Sequence, residues 1–69
     1  MILKKNNEFV GELSDTQTQD GKHMLTFRIS KKIEIPENAI SIHKLKSLHG
    51  KRIGILHLGD SYILRILKE

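Results

Sequence analysis

The segment from Arg52 to Leu67 constrains the fold most, because two apolar runs flank a short turn sequence there. Gly59-Asp60 separates the runs, and glycine first in a two-residue turn is typical of a type II′ β-hairpin. Counting outward from this turn predicts the cross-strand pairs Leu58–Ser61, His57–Tyr62, Leu56–Ile63, Ile55–Leu64, Gly54–Arg65, Ile53–Ile66 and Arg52–Leu67.

The predicted register makes both faces of this hairpin apolar. One face, expected to be core, carries Ile53, Ile55, Leu64 and Ile66 and ends in His57 and Tyr62. The other carries Leu56, Leu58, Ile63 and Leu67, interrupted by Arg52, Gly54 and Arg65. A hairpin with one solvated side is normally apolar on the other side only. We therefore expect Leu56, Leu58, Ile63 and Leu67 to form an interface, in a homodimer or with another protein, unless the short helix of the chain covers them.

Length and composition indicate a single domain, residues 1–69, with a marginal core. A chain of 69 residues without cysteine has neither disulfides nor thiolate zinc sites. Small domains that lack such staples depend on unusually good packing or on oligomerisation. No run approaches the ~20 apolar residues of a membrane span, and charges follow Met1-Ile2-Leu3 at once. We expect a cytoplasmic protein with no membrane partner.

The first half of the chain predicts short strands. Phe9–Leu13 alternates, and the polar run after it is expected to hold a mobile loop, Asp15–Gly21, with turn chemistry at Asp20-Gly21. His23–Ile35 is long for one strand, so a break near Ser30–Lys32 is expected within its apolar stripe. That stripe comprises Leu25, Phe27, Ile29, Ile33 and Ile35. Met1–Lys5 is a candidate short edge strand.

A helical turn is predicted before the final hairpin. Ser41 is a candidate N-cap, Leu45 and Leu48 lie on one helical face, and Gly50 suits the left-handed residue that ends a helix. The resulting order predicts a mainly β fold, a small five- or six-stranded antiparallel barrel that is SH3-, Sm- or OB-like.

The residues that usually carry catalysis form no recognisable pattern. There is no nucleophile elbow, Gly-rich phosphate loop or pair of carboxylates. Of the four histidines, His43 and His49 are six residues apart, which does not place two ligands on one helix face. We predict no enzyme activity, no cofactor and no metal site. The opposed His57 and Tyr62 are interpreted as the end of the core, and a stacking site for a ligand is the less favoured alternative.

Charge is the strongest functional signal. Residues 1–30 hold four bases and four acids, whereas residues 31–69 hold eight bases and four acids. An excess on one half favours an anionic partner, most often nucleic acid. Arg65 faces Gly54, where the missing side chain would let a backbone or base approach closely. The predicted DNA- or RNA-binding residues are Lys31, Lys32, Lys44, Lys46, Lys51, Arg52 and Arg65.

Two other interpretations remain open at this point. The bases could form a solvated surface kept for solubility. The chain could also be a protein-interaction module, and a small dimeric regulator that binds DNA would combine both functions. With three aromatic residues in all, nucleic-acid binding would depend on backbone phosphates rather than on stacked bases.

Overall fold

The protein is mainly β, as the computed structural model of the chain shows for residues 2–67. Its elements are β1 (Glu8–Gln19), β2 (Lys22–Phe27), β3 (Lys32–Pro36), α1 (Ile42–Ser47), β4 (Arg52–His57) and β5 (Tyr62–Ile66). All five strands belong to one antiparallel sheet in the order β3-β2-β1-β4-β5. Within residues 2–67 the edge strands β3 and β5 do not pair with each other, so the sheet is not closed.

The long first strand joins the two halves of the sheet. Glu8–Glu12 pairs with β4, whereas the part from Leu13 onward pairs with β2. The register shifts between Leu13 and Asp15, where the Ser14 hydroxyl donates to the Thr26 carbonyl at 2.9 Å. A bulge of this kind bends a strand and increases its twist. One strand therefore contributes to both halves of a curved sheet.

The prediction of a mobile loop at Asp15–Gly21 is wrong for most of that segment. Residues up to Gln19 continue β1 and pair with β2, and only Asp20-Gly21 forms the turn. Both turn residues have positive φ, +54° and +76°, as a type I′ turn requires. The predicted turn chemistry is thus confirmed, but the Thr-Gln-Thr-Gln run before it carries no apolar alternation that would have indicated a strand.

The break predicted near Ser30 is a complete reversal of the chain. The Phe27 N–H donates to the Lys31 carbonyl at 2.7 Å, and Ser30 has a φ of +65°. Four members of the predicted stripe are buried, namely Leu25, Phe27, Ile33 and Ile35. Ile29 was expected among them but is 81% exposed, because it lies at the tip of the turn and not in a strand.

The predicted N-cap is confirmed, whereas the helix ends at Ser47 with Leu48 as its C-cap, two residues before the left-handed Gly50. The Ser41 side chain accepts a hydrogen bond from the Lys44 N–H, and Gly50 has a φ of +84°. Leu45 and Leu48 are buried in the same core cluster as Ile53 and Ile55. The helix therefore packs on the core side of the sheet and does not cover the second face of the final hairpin.

The register of that hairpin is confirmed for every predicted pair from Ile53–Ile66 to His57–Tyr62. Ile53 and Ile55 are fully buried, and Leu64 packs against the core. Ile66, however, is 57% exposed although it was predicted to be core. It is the last residue of an edge strand, so no neighbouring strand covers it.

The N-terminal segment runs from β3 to the end of β4. A short edge strand was predicted at Met1–Lys5, of which Met1 lies outside the described residues. Among residues 2–5, the structure shows only an isolated parallel bridge between Ile2 and Glu34 of β3. Leu3 is buried in the core. Further along, the Asn6 N–H donates to the His57 carbonyl at 2.6 Å, and the His57 N–H donates to the Asn7 carbonyl at 3.1 Å. The segment thus connects β3 with the end of β4.

Candidate functional site

Backbone hydrogen bonds bring the β2–β3 connection and the start of β4, both of which carry basic residues, to the same end of the sheet. The Phe27 N–H donates to the Lys31 carbonyl, and Phe27 is the cross-strand partner of Leu13. The Leu13 N–H in turn donates to the Lys51 carbonyl at 3.0 Å. In addition, the Arg28 N–H donates to the Glu12 carbonyl at 3.0 Å, and Arg52 is the cross-strand partner of Glu12. We call the group Arg28, Lys31, Lys51 and Arg52 the basic end; all four residues are exposed.

A shallow cavity of about 210 Å³ lies within the basic end, between Arg28 and Arg52. Gly11 lies against the ring of Phe27, which is buried. Glu12 also lines the cavity, and its carboxylate accepts from the Arg28 guanidinium at 3.4 Å. Planar guanidinium groups suit bidentate contact with phosphate oxygens, so the cavity has donors for an anion on two sides.

Arg28 was missed by the sequence analysis. It was placed inside one long strand, where its side chain would have had no relation to the start of β4. The reversal of the chain near Ser30 moves it to a turn and brings it to Glu12. The charged run from Arg28 to Lys32 around a serine was the signal available in the sequence.

The other predicted nucleic-acid-binding residues lie elsewhere. Lys44 and Lys46 are on α1, and Lys46 lines a groove of about 500 Å³ together with Glu37 and His23. Lys32 begins β3 opposite Thr26. All three lysines are exposed; Lys44 and Lys46 belong to a separate element, whereas Lys32 directly follows Lys31 of the basic end.

Arg65 has a partner within the chain. Its guanidinium donates to the Glu8 carboxylate at 2.9 Å, directly over Gly54. A Cβ atom at Gly54 would lie 3.1 Å from the Glu8 carboxylate oxygen, so that carboxylate occupies the room left by the missing side chain. In this structure the Glu8 carboxylate, and not a partner, lies where a backbone or base was expected to approach Gly54.

The second face of the final hairpin extends onto β1. Cross-strand rows run from Glu8 through Leu56 to Ile63, and from Val10 through Gly54 to Arg65. Val10, which the sequence analysis did not include, and Ile63 are exposed, whereas Leu56 and Leu67 are partly buried. We call Val10, Leu56, Ile63 and Leu67 the outer face. Leu58, the fourth residue of the predicted interface, is exposed beside the Gly59 turn.

Three of the histidines make hydrogen bonds within the fold. His23 is 3% exposed, and its ring contacts the Thr18 hydroxyl at 2.7 Å and the Ile40 carbonyl at 2.9 Å. His49 shares a hydrogen bond of 2.9 Å with Thr16. In the part of the chain that the structure describes, no three His, Asp or Glu residues are grouped so that they could hold a metal ion.

His57 and Tyr62 are opposed and stacked, with ring centroids 4.4 Å apart. Both ring nitrogens of His57 face backbone carbonyls, those of Leu3 and Gly59. These contacts tie the pair to the N-terminal segment and to the turn, which supports its interpretation as the end of the core.

Over residues 2–67, no helix is long and apolar enough to cross a membrane. Comparison of the chain with protein families, with curated protein sequences and with solved structures found no match.

Proposed function

We propose that this protein is a small, partly open β-barrel of the OB type that binds nucleic acid through its backbone phosphates. The barrel assignment is supported by β1, which pairs with β2 along one half and with β4 along the other. The position of α1 between β3 and β4 also suits a five-stranded partly open barrel. Fold alone does not assign a function, so the argument depends on the charged surface.

The observation that carries the proposal is the basic end. Four exposed bases from two separate stretches of the chain, Arg28–Lys31 and Lys51–Arg52, lie at the same end of the sheet as one acid, Glu12. Clustered Lys and Arg side chains attract nucleic acid without sequence preference and release counterions on binding. The cavity between Arg28 and Arg52 offers a position for one phosphate.

The aromatic residues favour phosphate contacts over stacking on bases. Phe9 and Phe27 contact each other edge to face, with centroids 4.7 Å apart, at the core. Tyr62 is stacked on His57. Stacking platforms of the kind that hold single-stranded bases are therefore not supplied by the three aromatic residues of the chain.

The test is fluorescence anisotropy with labelled single-stranded DNA, single-stranded RNA and duplex DNA over a range of salt concentrations. We expect binding at ~50 mM salt whose dissociation constant rises steeply with salt. The double variant Lys51→Gln/Arg52→Gln should weaken binding about tenfold or more. It should also reduce the slope of log affinity against log salt concentration by about two, one for each lost phosphate contact.

The matched control is Lys44→Gln/Lys46→Gln, which removes the same charge from α1. It should change affinity much less than the variant at the basic end. Absence of binding to all three probes at low salt would contradict the proposal, as would equal losses in the two double variants, since equal losses indicate net charge alone.

A second candidate function is that of a protein-interaction module, which the outer face favours. Val10 on β1 and Ile63 on β5 are exposed large hydrophobic residues on the same face of the sheet, with β4 between them. Apolar residues grouped on a sheet face are typical of a contact surface. Sedimentation of the purified chain, alone and after Val10→Glu, tests whether this surface associates.

A further inference from the structure

The two edge strands of the sheet differ in their protection against pairing with another chain. β3 carries Lys32, Glu34 and Pro36, and Ile2 already bridges it. Charged residues and proline are the usual devices that keep an edge strand from pairing. β5 has the sequence Tyr-Ile-Leu-Arg-Ile, and within residues 2–67 it pairs with β4 alone. Its outer edge is open and largely apolar.

The hydrogen-bond pattern shows which groups of β5 face the open edge. The Leu58 N–H donates to the Ser61 carbonyl, and the Leu67 N–H donates to the Arg52 carbonyl. These two bonds show which residue pairs of the β4–β5 ladder are hydrogen-bonded. In an antiparallel ladder, hydrogen-bonded and non-hydrogen-bonded pairs alternate. Ile63 and Arg65 therefore direct their backbone groups toward β4. Tyr62, Leu64 and Ile66 direct theirs toward the open edge.

Two exposed isoleucines of β5 lie on opposite faces of the sheet. Ile63 is 44% exposed on the outer face, and Ile66 is 57% exposed on the side of its cross-strand partner Ile53. A partner resting on the outer face would cover Ile63 and leave Ile66 in water. A strand added at the edge would cover both, because its side chains extend to both faces.

We propose that β5 pairs in antiparallel orientation with β5 of a second copy of this chain. A two-fold axis at Leu64 places Leu64 opposite its counterpart, Ile66 opposite Tyr62, and Ile63 opposite Arg65 of the other copy. The open N–H and C=O groups of Tyr62, Leu64 and Ile66 then bond across the interface. No like charges face each other, whereas an axis at Arg65 would oppose two arginines.

A second copy is favoured as the occupant because the strand is complementary to itself about Leu64. Such an isologous contact closes as a dimer and forms no fibre. The inference rests on the interaction-module function and names its partner; it does not depend on nucleic-acid binding.

Sedimentation equilibrium over a range of protein concentrations, with substitutions at the edge, tests the pairing. The wild type should be a dimer, and Ile66→Lys should raise its dissociation constant about tenfold or more, since the lost cross-strand pair occurs twice by symmetry. Ile29→Lys is the matched control, because it makes the same change at an exposed isoleucine in the β2–β3 turn. It should leave the dimer intact. Ile63→Lys is a second edge variant and should act as Ile66→Lys does.

Amide hydrogen exchange of the wild type provides a readout that does not depend on a substitution. Protection of the Tyr62, Leu64 and Ile66 amides should rise with protein concentration, whereas the Ile63 and Arg65 amides should be protected at every concentration. A chain that stays monomeric at all concentrations overturns the inference.

A dimer that survives Ile66→Lys but dissociates on Val10→Lys also overturns it. In that case two outer faces stack on each other, and the interaction-module function stands while pairing through β5 fails.

Discussion

His57 and Tyr62 stack with their ring planes 5° from parallel, and His57 at the same time directs both ring nitrogens at backbone carbonyls. Nδ1 lies 2.7 Å from the Leu3 carbonyl, and Nε2 lies 3.1 Å from the Gly59 carbonyl. A neutral imidazole donates from one nitrogen only, whereas the protonated ring donates from both. One side chain therefore holds the N-terminal segment and the β4–β5 turn against the end of the core.

The first prediction separates the stacking of this pair from its hydrogen bonds. His57→Phe keeps an aromatic ring beside Tyr62 but removes the ring nitrogens that face the Leu3 and Gly59 carbonyls. We expect the free energy of unfolding to fall by about 1–2 kcal/mol. Tyr62→Phe is the control, because no described contact involves the hydroxyl, and it should change stability by less than about 0.5 kcal/mol. Urea unfolding of both variants measures the difference, and equal losses would contradict it.

The second prediction contrasts two glycines of the sheet. A Cβ atom at Gly11 would lie 3.0 Å from the Phe9 ring and 3.2 Å from the Phe27 ring, and those rings pack against each other. At Gly54 the nearest atom, at 3.1 Å, belongs to the Glu8 carboxylate, which is the end of a flexible side chain. We expect Gly11→Ala to cost about 1–3 kcal/mol.

Gly54→Ala should cost much less, because Glu8 can move and alanine restricts the unfolded chain more than glycine does. Thermal unfolding of the two variants gives the comparison. A larger loss at Gly54 would show that the rings at Gly11 yield more easily than the Glu8–Arg65 ion pair.

The third prediction concerns the buried histidine of the β1–β2 hairpin. The Ile40 carbonyl can only accept, so His23 donates from Nε2, and its Nδ1 accepts from the Thr18 hydroxyl. Nitrogen NMR of the imidazole should show this tautomer in the neutral ring. In a double-mutant cycle, Thr18→Val and His23→Phe should couple by about 1 kcal/mol. Additive effects of the two substitutions would contradict the hydrogen bond.

Turn chemistry made the last hairpin predictable, but only the turn of the β1–β2 hairpin. Gly59-Asp60 predicted the five pairs from Ile53–Ile66 to His57–Tyr62, and Asp20-Gly21 marked the first turn. The strand that leads into Asp20 was missed because its inward residue Thr16 is polar and bonds to His49, a partner 33 residues away. A hydroxyl satisfied by a distant side chain leaves no signal in a local pattern of hydrophobicity.

The position of the basic residues was less predictable than the strands. Arg52 and Lys51 were identified from the sequence, but their neighbour Arg28 depends on the reversal at Ser30. The pairing of Arg65 with Glu8 joins residues 57 positions apart, and neither one indicates the other locally. Charge is read from composition, whereas which charges neutralise each other depends on the fold.

The last prediction uses this ion pair to test the proposed nucleic-acid surface. Arg65 and Arg52 occupy neighbouring rows of the outer side of the sheet, but Glu8 neutralises Arg65. Glu8→Gln should leave stability within about 1 kcal/mol, because exposed ion pairs contribute little. If the basic end binds phosphate, the released Arg65 adds a phosphate contact. We therefore expect tighter binding and a slope of log affinity against log salt concentration that is steeper by about one.

The matched control for Glu8→Gln is Glu34→Gln, which removes the same charge from β3, where Glu34 lies 3.7 Å from Lys22. Anisotropy titrations of both variants at two salt concentrations compare the surfaces under identical net charge. A larger gain for Glu8→Gln places the bound phosphates beside Arg65 and Arg52, because only there does the released guanidinium meet them. Equal gains would mean that overall charge governs binding, and a larger gain for Glu34→Gln would move the site to the face of β2 and β3.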